Sequence, residues 1–235
     1  MSTKPLKSTV GRKVVMAVSG IFLMLFLIVH LGGNLTMFVS AEMFNSYAHH
    51  LESLGPLLYV AEAGLLAIFL FHVITAFQVH AEKKRARPDD YAVAKSKGGA
   101  SKLTVASKSM IYTGIILLLF IPAHIWMFKF NGGNEFTYTA DAHGTEVKDL
   151  YTVVVEAFAN PVVAFGYAGV MLLLGMHLRH GFWSALQSLG AMCPRASKAI
   201  YCAGFVFALL LAGGFLVLPV YFYVMSCMSC SGGAP

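Results

Sequence analysis

The feature that most constrains this chain is a set of five mainly apolar stretches, at about 14–38, 57–81, 107–129, 160–184 and 199–224. Each exceeds the roughly 20 apolar residues that an α-helix needs to cross a bilayer. Only 12% of the residues are charged, about half the share of a soluble domain. The stretches lack the apolar–polar alternation of β-barrel strands, and the first is too long and too internal for a cleaved signal peptide. We expect an all-α integral membrane protein with five transmembrane helices.

The distribution of basic residues predicts the orientation. All but Lys129 and Lys148 of the 17 lysines and arginines fall on the side of the N-terminus or at that end of a span, including the run Lys83, Lys84, Arg85. Cytoplasmic loops carry such an excess, so the N-terminus is expected to be cytoplasmic and the C-terminus outside. The net charge of +6 is therefore assigned to membrane topology and not to nucleic-acid binding.

The segments between the spans are short enough for one domain over residues 1–235. The basic inner segment from Glu82 to Ser109 is predicted to be a surface loop. The outer segment from Ser40 to Pro56 is amphipathic and is expected to lie along the membrane surface. The polar outer loop from Phe130 to Pro161 ends in an Asn-Pro pair that is predicted to cap the fourth span.

The cysteines say little about chemistry. Cys227 and Cys230 form a CxxC, but no histidine follows, which excludes covalent c-type haem attachment. A disulfide and two ordinary thiols both remain open for this pair.

Four histidines lie inside the first four spans: His30, His72, His124 and His177. Ionisable residues inside spans are costly and are functional candidates by default. His30 and His124 lie at similar positions in two spans that run outward, so we place them at one level in the outer half. His72 and His177 lie in spans that run inward and share a level in the inner half. The result is two histidine pairs, each from two helices.

Two such pairs are what two bis-histidine haems require, because axial ligands approach the iron from opposite faces of the ring. A metal site or a proton relay would more often mix carboxylates with histidines at one level. Glycines, which allow close approach of a planar group, recur at matched offsets: Gly20 and Gly114 precede their histidines by ten residues, and Gly64 and Gly169 precede theirs by eight. Each glycine is expected near the level of the other pair. Packing histidines are the alternative.

The other histidines rank lower as ligands. His180 follows His177 by three residues and could compete with it, but it lies near the inner interface beside Arg179. A propionate or quinone contact is an alternative for His80 at the inner rim. The remaining three are predicted to be solvated or superficial: His49, His50 and His143.

Several motifs resemble one known family at family-like spacing. They are Gly20-Ile-Phe-Leu, His30-Leu-Gly-Gly-Asn34, Ala41-Glu-Met-Phe-Asn-Ser46, Phe71-His72, His124-Ile-Trp126 and Met176-His177-Leu-Arg-His-Gly-Phe-Trp-Ser184. With them the chain resembles the dihaem cytochrome b membrane anchor of succinate:quinone oxidoreductases, the family of succinate dehydrogenases and quinol:fumarate reductases. The match covers all but the outer loop at 130–160 and the tail.

The resemblance implies the same ligands and favours His177 over His180. His72 and His177 would hold the inner haem b, near an iron–sulfur subunit, and His30 and His124 the outer one. Implied partners are an FAD-carrying flavoprotein and the iron–sulfur protein, both on the cytoplasmic face of a bacterial inner membrane. The implied quinone is menaquinone, reacting near the outer haem, while dicarboxylate chemistry stays in the partner subunits. The resemblance also implies a dimer of the whole complex.

Two positions bear on proton and quinone chemistry. Some dihaem fumarate reductases have a glutamate where this chain has Gly175, so the proton path through that residue is not expected here. Glu62, at the mouth of the second span, is the candidate for the quinone site, with a structural hydrogen bond as the equal alternative. Glu42 and Glu52 also lie near the outer side.

Two other functions are weighed against this one. A cytochrome b anchor of a hydrogenase or formate dehydrogenase would dock partners on the outer face, whereas the basic residues crowd the inner face. A non-redox transporter with a histidine proton relay would need polar residues lining its path, which these spans lack.

Overall fold

The computed structural model describes residues 8–86, 105–140 and 144–231, and within them the chain is predominantly helical. Its helices and strands follow in chain order: α1 (Thr9–Leu35), α2 (Ala41–Ser53), α3 (Pro56–Ala86), α4 (Val105–Phe128), β1 (Tyr138–Ala140), β2 (Glu146–Lys148), α5 (Leu150–Ala159), α6 (Pro161–Ser188) and α7 (Ser197–Ser231). A short 3-10 turn follows α1, and another follows α4.

Five of these helices are long and apolar enough to cross a membrane, which confirms the five predicted spans. Their spanning parts are Thr9–Phe38, Pro56–Ala86, Ser109–Phe128, Pro161–Ser188 and Ser197–Ser229. Large apolar side chains remain exposed along them, as for Leu119 (70%) and Val162 (79%). A soluble monomer rarely leaves broad apolar surfaces open to water. The architecture is therefore compatible with a multi-pass membrane protein.

The chain divides into two compact units. The first, here the His72 unit, comprises the described residues within Met1–Leu27, Ala61–Gly114 and Met176–Ala208. The second, the His30 unit, comprises those within Ile28–Val60, Ile115–Gly175 and Leu209–Pro235. Each of the five long helices contributes one segment to each unit. The single domain over residues 1–235 stays a prediction.

The segments between the spans contain more regular structure than expected. The inner loop is shorter than predicted, because α3 continues to Ala86 and α4 begins at Val105; the intervening part lies outside the described residues. In the polar outer loop, β1 and β2 pair antiparallel, with Tyr138 opposite Lys148, and α5 follows. This small hairpin qualifies the all-α prediction.

The predicted cap at Asn160 is confirmed, and the predicted amphipathic segment is helical, while its place along the membrane surface stays a prediction. The amphipathic segment after α1 forms α2, whose start is capped by the Ser40 hydroxyl accepting the Met43 N–H at 3.1 Å. The Asn160 side chain accepts the Val162 N–H at 2.9 Å at the start of α6. These contacts satisfy N–H groups that have no partner inside their own helix.

A buried asparagine on α2 completes the start of α5 within the His30 unit. Asn45 is 1% exposed; its amide nitrogen donates to Asp149 Oδ1 at 3.0 Å, and its Oδ1 accepts the Tyr151 N–H at 2.9 Å. Asp149 itself caps α5 by accepting the Thr152 N–H at 3.1 Å. Two side chains from distant parts of the sequence therefore satisfy two unpaired N–H groups of one helix.

We expect Asn45→Ala to lower the free energy of unfolding by about 1–3 kcal/mol, because it leaves the buried Tyr151 N–H without its acceptor. Thermal unfolding of the purified chain in detergent measures the change. The matched control is Asn134→Ala, which removes an exposed asparagine side chain from the same unit. Equal effects of the two substitutions would contradict this role of Asn45.

The capping carboxylate makes stability depend on pH. Burial of the Asp149 carboxyl opposes its ionisation, but hydrogen bonds from Thr152 and Asn45 outweigh burial and hold its pKa below the ordinary value. A folded-state pKa below the unfolded one favours the folded protein at higher pH, and this contribution is lost as the pH falls through the folded pKa. We expect the free energy of unfolding to decrease as the pH drops below about 4, and Asp149→Asn to weaken that dependence. An unchanged pH profile in the variant would show that Asp149 is not responsible.

Candidate functional site

One histidine pair lies in the His72 unit. The rings of His72 on α3 and His177 on α6 face each other with centroids 6.5 Å apart and planes 67° apart. The sequence predicted this pairing from position along the spans alone. The structure confirms that these two rings, from helices far apart in sequence, come together.

The His72 ring is held by α1. Its Nδ1 lies 3.3 Å from Ser19 Oγ and 3.2 Å from the Met16 carbonyl oxygen. The Ser19 hydroxyl donates to carbonyls of its own helix, at Val15 and Met16, so its oxygen is left to accept. We therefore assign the proton to Nδ1, which leaves the lone pair of Nε2 for a ligand.

The His177 ring is held by α4 in the same way. Its Nδ1 lies 3.1 Å from Thr113 Oγ1, and Thr113 is 2% exposed. The threonine hydroxyl donates to the carbonyls of Ser109 and Met110 and so accepts from the ring. Nε2 is again the nitrogen with a free lone pair.

Glycines bring both rings against their neighbouring helices. A Cβ added to Gly20 would stand 3.2 Å from His72 Cε1, and one added to Gly114 would stand 3.5 Å from His177 Cε1. Gly20 and Gly114 thus lie beside the other histidine pair, as predicted. An added Cβ at Gly64 or Gly169 would meet no heavy atom within 4 Å, so these two glycines are not pressed against a histidine ring.

The second pair lies in the His30 unit. The rings of His30 on α1 and His124 on α4 have centroids 5.8 Å apart and perpendicular planes. The His124 Nδ1 lies 3.3 Å from the Tyr167 hydroxyl, while the phenol is 3.8 Å from the Met127 sulfur. Aromatic rings surround this pair: Phe120, Phe128, Phe215 and Tyr167.

Both separations fit two imidazoles bound to one metal ion from opposite sides. With each nitrogen about 2 Å from the metal, the ring centres stand about 6 Å apart. An open apolar groove of about 300 Å³ lies between α1 and α3. Its lining includes Ser19, Phe22, Ile68 and Phe71 and none of the four paired histidines. Two imidazole nitrogens in apolar surroundings are the donor set that a haem with two histidine ligands would use.

The described residues contain no group of three or more histidines, cysteines or carboxylates that could hold a metal ion. The candidate sites in this part of the chain are therefore two-ligand sites. A two-ligand site suits a metal whose remaining positions are filled by a macrocycle.

Three other positions singled out in the sequence have their own contacts. His180 packs edge-to-face on Trp183, with centroids 4.7 Å apart, and its buried Nδ1 has no hydrogen-bond partner among the described residues. Glu62 is half-buried on α3, ten residues before His72. Gly175 allows close packing on α7, since an added Cβ would lie 3.1 Å from the Cβ of Ala212.

Of the remaining histidines, the three that the structure describes carry no paired ring contact of this kind. His49 and His50 lie on α2, and His80 is half-buried near the end of α3. His143 lies outside the described residues.

Three residues that hold the rings escaped the sequence analysis: Ser19, Thr113 and Tyr167. For two of them the signal was present, because a hydroxyl residue stands directly before two of the four matched glycines, as Ser19-Gly20 and Thr113-Gly114. Tyr167 has no such marker, since its contact with His124 depends on how α4 and α6 pack.

We expect Gly20→Ala and Gly32→Ala, two substitutions on the same helix, to change the free energy of unfolding differently. Nothing lies within 4 Å of a Cβ at Gly32, so alanine there should raise the free energy of unfolding by about 0.5–1 kcal/mol. At Gly20 the added carbon presses on the His72 ring, which hydrogen bonds hold in place, so we expect no gain or a loss. Thermal unfolding in detergent compares them, and an equal gain in both variants would contradict the close approach.

Comparison with known proteins gave no match: no family model fits the sequence, and no curated protein or solved structure is similar to it. We therefore infer function from the residues and contacts of this chain.

Proposed function

We propose that this chain is a dihaem cytochrome b membrane subunit of a succinate:quinone oxidoreductase. It would pass electrons between menaquinone and an iron–sulfur subunit. The observation that carries the proposal is the presence of two separate pairs of histidine rings, each pair 5.8 or 6.5 Å between centroids and each drawn from two spanning helices. One pair could be a packing contact. Two pairs with similar ring separations within apolar helices favour a repeated cofactor site.

The residues around each pair have defined tasks in this proposal. His72 and His177 would hold one haem b, and His30 and His124 the other. The hydrogen bonds at Nδ1 of His72, His177 and His124 would fix the orientation of these three rings and leave their Nε2 for the iron. Each bound haem would supply a one-electron carrier in a medium of low dielectric constant, and the apolar side chains around it would keep water from the iron.

The basic end of the chain supports a partner on the cytoplasmic side. Lys13 on α1 and the run Lys83, Lys84, Arg85 on α3 are exposed, and Arg12 forms an ion pair with Glu82 between these two helices. Exposed positive charge attracts a peripheral acidic partner. The proposed partners are an iron–sulfur protein and a flavoprotein carrying FAD, at a bacterial inner membrane with the N-terminus in the cytoplasm.

The quinone would react near the His30–His124 pair. Glu62 stays the candidate acid, as a half-buried carboxyl on α3. No carboxyl group occupies the position of Gly175, where close packing against Ala212 favours glycine. A proton path through that position is not part of this proposal.

The test is to purify the full chain, extract its haem and record a reduced-minus-oxidised spectrum. We expect two noncovalently bound haem b per chain. His30→Ala or His124→Ala should remove one haem and keep the other, and His72→Ala or His177→Ala should do the reverse, because each pair serves one iron. His180→Ala is the matched control, since its ring faces Trp183, and it should keep both haems.

The outcomes separate the competing functions. Absence of haem b in a chain that unfolds cooperatively would contradict the proposal and favour the transporter. Two haems in a complex with a hydrogenase or formate dehydrogenase catalytic subunit would support the other electron-transfer class. Equal loss of both haems in every variant, with folding intact, would contradict the pairing.

A further inference from the structure

We infer that Ser19 and Thr113 are a matched pair of positioning residues that orient His72 and His177 and set the electron donation of these two rings to a bound iron. The inference rests on the proposed haem function and extends it from the ligands to the hydroxyl groups behind them. Neither side chain would touch the cofactor metal. Each would act through the Nδ1 of a ligand.

The directions of the hydrogen bonds make each hydroxyl an acceptor toward its histidine ring. Ser19 Oγ lies 2.8 Å from the Val15 carbonyl oxygen, and Thr113 Oγ1 lies 3.1 Å from that of Met110. A hydroxyl has a single hydrogen, and here a helix carbonyl takes it. The oxygen can then only accept the Nδ1–H of the histidine, so these hydroxyls stabilise the tautomer whose Nε2 can bind metal.

The Ser19–His72 and Thr113–His177 contacts match in their sequence positions and in the atoms that meet. Ser19 precedes Gly20 and Thr113 precedes Gly114, and each dipeptide stands at the same offset from the next histidine of its helix. In both, the hydroxyl meets the Nδ1 and the glycine meets the Cε1 of one ring. The same short motif, a hydroxyl residue followed by glycine, therefore supports each ring of the His72–His177 pair.

The two supports are unequal in strength. The His72 Nδ1 has a second acceptor in the Met16 carbonyl at 3.2 Å, whereas Thr113 is the hydrogen-bond partner found for the His177 Nδ1 among the described residues. Loss of the Ser19 hydroxyl leaves His72 a partner, but loss of the Thr113 hydroxyl leaves a buried N–H without its acceptor. Thr113 should therefore matter more.

An acceptor at Nδ1 makes the imidazole a stronger electron donor, which stabilises the oxidised metal. Removal of that acceptor should therefore favour the reduced form and raise the reduction potential. If the loss of the acceptor changes by roughly tenfold the ratio of the histidine's affinities for the oxidised and the reduced iron, the reduction potential shifts by about 59 mV for one electron.

The experiment is a redox titration of the purified chain with Thr113→Val, which replaces the hydroxyl by a methyl group of similar size. The reduction potential of the haem held by His72 and His177 should rise by about 59 mV, which corresponds to a tenfold change in the affinity ratio. The electron paramagnetic resonance signal of its oxidised form should change as well. Repeating the titration in a His124→Ala background, where only this haem is expected, assigns the change. Ser19→Ala should produce a smaller shift in the same direction.

Two further variants separate positioning from general loss of stability. Thr113→Ser keeps the hydroxyl and should restore the wild-type potential. Thr75→Val removes another buried hydroxyl of the same unit, 6% exposed, which donates to the Phe71 and His72 carbonyls; it should leave the potential unchanged.

The failures are distinguishable. A wild-type chain without haem overturns the proposed function itself. A haem-bearing chain in which Thr113→Val leaves both potential and signal unchanged overturns this inference alone, as does an equal shift in Thr75→Val. If Thr113→Val does not fold, Ser19→Ala decides the matter by the presence or absence of its smaller shift.

Discussion

Placing an imidazole among apolar side chains is costly unless its ring nitrogens find partners inside the protein, and much of this structure follows from that cost. Within the His72 unit, the rings of His72 and His177 each satisfy their Nδ1 on a neighbouring helix, at Ser19 and Thr113. These bonds link α1 to α3 and α4 to α6. In the proposed function, the second nitrogen of each ring would bind one ligand shared by the pair.

Helix contacts within the His72 unit depend on small residues beside these polar ones. Gly20 and Gly114 bring the backbone of α1 and α4 to the edge of a ring, and the hydroxyl one residue earlier then reaches its nitrogen. An added Cβ at Gly20 would press on the His72 ring at 3.2 Å, whereas one at Gly114 would make an ordinary contact with the His177 ring at 3.5 Å. The hydrogen bond to the ring therefore depends on the close packing of the helix beside it. Small and polar residues are common between helices in membranes.

Polar contacts of another kind organise the segments between the spans. Within the His30 unit, the side chains of Asn45 and Asp149 hydrogen-bond to each other and to backbone N–H groups at the start of α5. Lys148 forms an ion pair with Glu52 at 2.9 Å. In the same unit Gly33 has no side chain because the ring of Tyr47 occupies that space. The short outer elements are thus tied to α1 and α2 by specific contacts, although their sequence resembles an irregular loop.

The sequence by itself determined the five spanning helices, the amphipathic α2, the cap at Asn160 and the pairing of four histidines, because apolar run length and position along a helix are local properties. It missed the hairpin, α5 and the extent of α3, where polar composition conceals regular structure. Only the tertiary structure decided that Ser19 and Thr113 hold the rings of His72 and His177, and that Tyr167 contacts His124. The physical reason is that these contacts depend on the rotation and approach of helices distant in sequence, which side-chain packing sets and local pattern does not.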